Sequence, residues 1–430
     1  MMPGAPSRRT RVLLLCLAMA SPAAAQQPRT VTLDEAIRLS IQRDPAAVAA
    51  DAAAGNARSD RLVAQGSFLP TITANTAFAN SSNTRFDQNT GRLVSQSYTA
   101  SAQGNYELFA FGRKLAALRS AGAAVAAADA QYDSQRFATV LETTQLFYAA
   151  AASSDLARVA EQRLARARQQ LAAAQTRLEL GTVTQSDVLR AELEVGNSEL
   201  ALLTAESALR SSALELGRQI GLSEPVHTAE SALPEKAPPL PPTEVLLAAA
   251  ERSAPTVVAA EATLKSRHMD RLGAYTPYLP TLRLTGGYDW FAFSWPPNEQ
   301  SWSLRLVASL PVFNGFQRES VLQKAGAAER VAEARARDAR NAARVSVEGA
   351  VAEIASAERR VQIADRAIGL AREDLRVIEE RYGLGVATIL ELQTSQVALS
   401  DAEVAAVTAR QSLGTAVAQL ESILGRKLNQ

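Results

Sequence analysis

From Tyr98 onward every second residue is apolar or small (Tyr98, Ala100, Ala102, Gly104, Tyr106, Leu108), while Thr99, Ser101, Gln103 and Asn105 between them are polar. Period two marks a strand with one greasy face. The pattern returns at Leu282, Leu284, Gly286, Tyr288 and Trp290, again from Trp302 through Leu304, Leu306 and Ala308 to Leu310, and more weakly at Ile72, Ala74, Thr76 and Phe78. Strands are therefore predicted at about 71–80, 97–108, 281–291 and 301–310. Each approaches the ~10 residues that a tilted membrane strand needs. All 3 Trp of the chain, Trp290, Trp295 and Trp302, fall in the second pair, as expected of residues that sit at a membrane–water boundary. One such hairpin would suit a soluble sandwich. Four strands of this kind favour a membrane sheet.

After each hairpin the strand signal gives way to helix. Between Gly112 and Glu179 there is no Pro, and none between Phe316 and Tyr382, so each stretch reads as one helix of ~100 Å at 1.5 Å per residue. The first is dense in Ala (Ala116, Ala117, Ala121, Ala123, Ala124), which lets neighbouring backbones run close along a long seam. Return helices are expected over about 184–219 and 388–424. The turns between are Leu180-Gly181-Thr182-Val183 and Leu384-Gly385-Val386-Ala387, with Gly where a helix ends in the left-handed conformation. Ahead of each hairpin lie two shorter helices. One opens at Thr32-Leu33-Asp34-Glu35, expected to be a capping box, and stops before Asp44-Pro45; the next runs to about Gln65. In the second half Thr243 is the expected cap of a helix ending before Pro255, and its successor reaches about Tyr275.

These elements are one unit written twice. Pro45, Arg61 and Leu69-Pro70-Thr71 recur as Pro255, Arg271 and Leu279-Pro280-Thr281, an offset of 210. Beyond the first strand the offset becomes 204: Phe109 matches Phe313, Arg177 matches Arg381, Leu180-Gly181 matches Leu384-Gly385, and Gly221 matches Gly425. The first copy thus carries a longer insertion between Pro70 and Phe109. The repeats are assigned to 26–222 and 243–430. A Pro-rich bridge, 223–242, joins them, and its prolines argue against regular helix or sheet.

The N-terminus reads as a secretory leader, 1–25. Arg8, Arg9 and Arg11 precede the apolar run Val12–Ala20, and Ala23-Ala24-Ala25 supplies the small residues of a cleavage site. Cys16, the only cysteine, lies within it, so an exported product of this chain would not rest on disulfides. Losing three Arg turns 45 bases against 44 acids into 42 against 44, which leaves no basic footprint for nucleic acid. With 2 His besides the leader's Cys there is little from which to build a metal or nucleophile site, and His227 and His268 stand apart in sequence. No cofactor and no catalysis are expected.

Four membrane strands cannot close, and an open edge is not tolerated in lipid, so the chain is expected to oligomerise. Two copies give eight strands and a filled interior; three give twelve and room for a lumen. Helices of ~100 Å exceed a ~30 Å hydrocarbon core and must project from it as a conduit. The order "TLDEAI" helix, Leu-Pro-Thr before a strand, "LPVFNG" before a long helix and "RxxLGxxT" at a hairpin tip, all duplicated, resembles the outer-membrane efflux protein family of the TolC type. The resemblance covers nearly the whole chain after the leader. It implies a fold that is mainly α with membrane β: a homotrimer whose twelve-strand β-barrel continues into a long periplasmic α-helical barrel. It further implies an exit duct in the outer membrane, its barrel in contact with outer-membrane lipid, working with a periplasmic adaptor protein and an inner-membrane pump or ABC transporter, in efflux or type I secretion. The chain itself would catalyse nothing. A periplasmic adaptor protein is the alternative, since it too carries long helical hairpins.

Two sets of site residues follow. The tips, Leu180, Gly181 and Thr182 with Leu384, Gly385 and Val386, are expected to dock the adaptor, because each keeps a Leu that a solvated turn does not need. The family closes its entrance with acidic residues beyond the second tip and a basic partner. Matching along "GVATILELQT" places Glu391 at the first acidic position, but Thr394 stands at the second and Ala387 at the basic one; the first tip offers Asp187. Asp187 and Glu391 each also complete a capping box with Thr184 and Thr388. Without the basic residue, closure is expected to rest on another base such as Arg190, or on packing of Ile389 and Leu390.

Overall fold

The computed structural model describes residues 29–87, 91–110, 112–229 and 233–428; the leader, including Cys16, lies outside them. The first repeat runs β1 (Arg29–Val31), α1 (Leu33–Arg43), α2 (Pro45–Gly66), β2 (Thr71–Asp87), β3 (Arg92–Phe109), α3 (Arg113–Glu179) and α4 (Gln185–Gln219). After β4 (Val226–Thr228) the order is repeated by α5 (Thr243–Ser253), α6 (Pro255–Gly273), β5 (Thr281–Ala292), β6 (Glu299–Ser309), α7 (Gln317–Gly383) and α8 (Ile389–Leu424). Both long helices have 67 residues. Their limits are those the uninterrupted helical stretches predict.

The four longer strands form one antiparallel sheet in the order β2-β3-β5-β6. Its register shows the duplication directly. Thr71 pairs with Asn105 in the first hairpin and Thr281 with Ser309 in the second, positions separated by the same 210 and 204 residues found in sequence. The register also sets the faces. Phe78 lies opposite Tyr98, Tyr106 opposite Leu284, and Tyr288 opposite Trp302, so the greasy residues of all four strands share one side. Ser101–Asp289 and Thr285–Arg305 share the other, where the Thr285 hydroxyl reaches Asn105 Oδ1 at 3.1 Å.

At the foot of the sheet each hairpin is locked to its long helix by one cation. Lys114 Nζ donates to the Glu107 carbonyl at 2.6 Å and lies 4.8 Å from the Tyr106 ring centre and 5.8 Å from that of Phe68. Its counterpart Arg318 donates to the Pro311 and Val312 carbonyls at 2.8 and 3.1 Å and stacks 4.6 Å from the Tyr278 ring. The cation satisfies carbonyls at the end of the strand or just past it, and the aromatic face adds cation–π attraction. Because the pair is duplicated, both hairpins leave the helices at equivalent points.

The helical part packs as antiparallel pairs, α3 with α4 and α7 with α8, joined by α3 against α8. Small residues make the close seams: Ala343, Ala350, Ala357 and Ala364 of α7 are buried with Val347, Ile354 and Val361. The short helices plug the middle of this bundle, Leu246 and Val257 entering the α7–α8 core. Asp44 caps α2 through the Ala47 amide and also accepts from Thr139 of α3, both at 3.0 Å.

Four expectations are corrected. The first hairpin is longer than predicted, because after a register shift between Asn80 and Arg85 the ladder resumes, Arg85, Phe86 and Asp87 pairing with Val94, Leu93 and Arg92. The bridge is not devoid of sheet. Val226-His227-Thr228 contains no Pro, keeps its N–H groups and pairs in parallel with Arg29–Val31, which the sequence reading missed. Thr243 is the first residue of α5, not its cap; Pro242 occupies that position with no side-chain bond. Thr32 accepts from the Glu35 amide at 3.3 Å, but the Glu35 carboxylate takes the Arg29 guanidinium at 2.7 Å instead of closing a capping box. A charged donor is the stronger partner.

Gly217 gives a test of the α4–β4 turn. A Cβ there would lie 2.4 Å from the Glu224 carbonyl oxygen, whereas Gly122 within α3 has nothing within 4 Å. Gly217→Ala is predicted to cost about 1–3 kcal/mol through overpacking against backbone. Gly122→Ala should gain about 1 kcal/mol from helix propensity. Thermal melting of the detergent-purified protein checks both, and an unchanged or raised midpoint for Gly217→Ala would contradict the close approach.

Candidate functional site

The two hairpin tips are built alike. α3 ends with the Gly181 amide donating to Leu178 at 2.9 Å and the Thr182 amide to Arg177 at 2.9 Å, Gly181 having φ +71°. α7 ends with the Gly385 amide on Tyr382 at 3.1 Å and the Val386 amide on Arg381 at 2.9 Å, Gly385 having φ +76°. This paired closure satisfies the last helix carbonyls and needs a residue free to adopt left-handed φ. It leaves Leu180 and Leu384 projecting, 73% and 80% exposed, so neither serves as the hydrophobic contact of its own cap. Val386 and Leu390 are exposed beside them.

Both acids expected at the gate are found in capping boxes. Asp187 Oδ2 accepts the Thr184 amide at 2.9 Å while its own amide donates to Thr184 Oγ1 at 3.3 Å. Glu391 Oε2 accepts the Thr388 amide at 2.6 Å, and the Glu391 amide donates to Thr388 Oγ1 at 3.2 Å. The Thr388 amide, then its hydroxyl, holds the Glu391 carboxyl below the usual carboxylate range, with Arg381 adding attraction. Of the two alternatives for closure, Arg190 lends only its carbonyl, to Gln393 at 3.1 Å, and forms no ion pair among the described residues. Ile389 is buried and Leu390 is exposed.

The tie between the two tips comes from a residue whose role sequence reasoning missed. Arg177, in the last turn of α3, donates to the Tyr382 carbonyl at 2.9 Å and stacks on the Tyr382 ring at 4.5 Å. Its charge meets the negative end of α7. Beneath this clasp Ala174, Ala191, Leu375, Tyr382, Ile389 and Leu392, drawn from all four long helices, form a small buried core. The only signal in sequence was that Arg177 recurs as Arg381 at the repeat spacing.

Deeper along the helices lies a charged layer inside the seam. Glu403 of α8, with a side chain 10% exposed, receives Arg166 of α3 at 3.4 Å and Arg372 of α7 at 3.7 Å. Gln396 bonds Gln170 at 3.3 Å, and Arg410 pairs with Asp365 at 3.0 Å. Arg166 on Glu403 and Gln170 on Gln396 join the first repeat to the second, and Arg372 and Arg410 tie α7 to α8 within the second. Elsewhere His268, which stands apart in sequence, shares the Glu329 carboxylate with Arg271, at 2.7 and 2.8 Å. Among the described residues no group of three His, Cys, Asp or Glu could hold a metal ion, and no helix is long and apolar enough to cross a membrane.

Comparison with known proteins gives a consistent picture. The sequence pattern described as outer membrane efflux protein matches residues 36–222 and again 246–426. Among solved structures, the outer membrane protein VceC of Vibrio cholerae is 18% identical, with a TM-score of 0.74 over 92% of this chain and 96% of that one. A membrane protein of Pseudomonas aeruginosa is 19% identical, with a TM-score of 0.77 over 93% and 91%. The open state of the Neisseria gonorrhoeae MtrE outer membrane channel is 20% identical, with a TM-score of 0.76 over 92% and 89%. No curated protein matches the chain in sequence.

The capping geometry predicts a pH signature at the second tip. A carboxyl lowered in the folded state contributes stability that is complete above its unfolded range and is lost as pH falls through the folded value. Amide exchange at Thr388, monitored by mass spectrometry and corrected for the intrinsic rate, should therefore keep its protection at neutral pH and lose it only as pH falls below the ordinary carboxylate range. Glu391→Gln, which can still cap, should flatten that dependence. Identical profiles would show that Glu391 does not hold the turn.

Proposed function

Since the chain belongs to the outer membrane efflux protein family, we propose that this outer-membrane exit duct works as a homotrimer whose helices form a periplasmic conduit ending at the Leu180 and Leu384 tips. One observation carries the reading. A four-stranded sheet with open edges at β2 and β6 leads straight into two 67-residue helices. Three copies bring twelve strands, enough to leave a lumen, and the conduit follows because such helices outrun any bilayer.

Two features support the assembly. Leu189, Leu193, Leu200 and Leu203 of α4 follow one another at helical spacing and are all more than half exposed, as are Val345, Ile363 and Leu370 of α7. These stripes suit burial between neighbouring copies. The adaptor alternative finds no support, and the duplicated sheet at one end of the helices suits a membrane barrel. Substrate passage needs no chemistry from the chain.

The tips face away from the sheet and present Leu180, Leu384 and Val386 to the periplasm, where a periplasmic adaptor protein and, through it, an inner-membrane pump engage. Closure at rest relies on the Arg177 clasp and the small core beneath it, in place of the basic residue that Ala387 lacks. Asp187 and Glu391 line the mouth as helix caps, and three Glu391 around one axis attract cations.

Two experiments check this. Leu180→Glu with Leu384→Glu, and Gly181→Glu with Gly385→Glu, should each reduce export at least tenfold in a drug-accumulation assay while native mass spectrometry still finds trimers. Normal export would place docking elsewhere. In planar bilayers, Arg177→Ala should raise the resting conductance of the trimer several-fold and Glu391→Gln should weaken cation preference. Unchanged recordings from both would remove the gate from this site.

A further inference from the structure

Where α1 lies on α3, the two helices, the bridge and the end of α8 enclose a cavity of about 740 Å³. Sites for small organic molecules have this size and are mostly apolar, with a few placed polar groups. Leu33, Ile37 and Ile41 of α1 and Phe137, Val140 and Leu141 of α3 give the cavity an apolar wall, all of them half-buried. It is also lined by Arg136, Lys236, Arg426 and Lys427 against one carboxylate, Glu421. Lys236, Arg426 and Lys427 are exposed and mark its mouth.

Two of these cations are available to a ligand. Lys427 holds Asp34 at 3.0 Å and Arg136 lies 3.9 Å from Asp133, whereas Lys236 and Arg426 form no ion pair among the described residues. Glu421 is already engaged, accepting the Leu428 amide at 2.9 Å. Tyr148 adds a hydroxyl whose pKa is pushed up by burial and then by the Glu421 charge, so it stays a donor. A Cβ at Gly414 would lie 2.7 Å from the Tyr148 ring and 3.1 Å from Pro234, so glycine is what lets α8, ring and bridge meet there.

The duplication shows that this lining is not part of the shared frame. At the repeat offsets Ile41 and Val140 correspond to Glu251 and Arg344, which close on each other in the second repeat at 2.9 Å. Tyr148 corresponds to Ala352, and Arg426 to Leu222. Where the second repeat shuts the position with an ion pair, the first leaves an apolar wall beside two unpaired cations.

We propose that the cavity binds a single-chain amphiphile with an anionic head, its acyl chain against the α1–α3 wall and its head between Lys236 and Arg426. Charge complementarity selects the class: guanidinium and ammonium groups at the mouth bond carboxylate or phosphate oxygens and repel a cationic head. Leu33, Ile37 and Ile41 stand on successive turns over ~12 Å of α1, a strip that an extended alkyl chain covers and removes from water. Every lining residue belongs to one chain, so the site stands apart from the trimeric reading. Its occupant touches α1 and α3 of the first repeat, α8 of the second and the bridge, and so ties the two repeats together.

The test uses the full-length protein held in amphipol, so that no detergent tail competes, with a photoreactive diazirine dodecanoate as probe. Tandem mass spectrometry should find most of the label in peptides covering 33–41, 136–148 and 414–427. Unlabelled dodecanoate or dodecyl phosphate should displace it, the stronger competitor identifying the head group. Lys236→Glu with Arg426→Glu should lower labelling at least fivefold, and Val417→Trp, which fills the cavity, should do the same with every charge in place. Without any substitution, dodecanoate should slow amide exchange over 33–41 and 233–240. Equal displacement by dodecyltrimethylammonium overturns the anionic selection. Label confined to the greasy face of the sheet, or indifferent to both variants, overturns the site, as does label on dissociated chains with none on trimers, which would mean that a neighbouring copy fills the cavity. Native mass spectrometry of the same samples reads the trimer separately.

Discussion

A backbone N–H or C=O in hydrocarbon has no water to turn to, and leaving one unpaired costs several kcal/mol. This constraint governs the whole molecule. Four strands satisfy one another in the order β2-β3-β5-β6, and among the described residues no further strand pairs with the outer edges of β2 and β6. In the proposed trimer further copies complete the wall. Everything below it, including the exposed Leu stripe of α4 and the apolar positions of α7, then has neighbours supplied at no additional entropic cost beyond assembly.

Duplication solves the geometry of such an assembly with one unit. The same hairpin is clasped to the same point of a long helix by Lys114 in the first repeat and Arg318 in the second, each stacked on an aromatic residue at the corresponding position, Phe68 and Tyr278. Strand register, clasp and helix start recur together at the spacings read from sequence. The repeat thus preserves the joints and not merely the elements.

The helices meet a different demand, since the conduit proposed for them has to be tight along its length and able to part at its end. Alanine seams and the buried Glu403 with Arg166 and Arg372 fix how α3, α7 and α8 sit against one another. At the tips the binding is lighter: one guanidinium on a ring and a carbonyl, a core of a few side chains, and carboxylates engaged in their own caps. Interactions exposed to solvent are individually weak and can be exchanged for contacts with another protein.

Much of this was legible in the chain itself. Helix limits followed from Pro and Gly positions, because these act through local sterics that no distant contact overrides. The strand faces followed from period two, the tips from Gly181 and Gly385, and the two repeats from residues that recur at fixed offsets. What tertiary structure decided was choice of partner. Glu35 left its capping box for Arg29, His268 joined Arg271 on Glu329, and Val226–Thr228 became sheet because Arg29–Val31 lay beside it. The Arg177 clasp belongs to the same class, since its distance from Tyr382 along the chain hides the contact. A side chain with several competent partners goes to the one that folding brings within reach, and that proximity is a property of three dimensions.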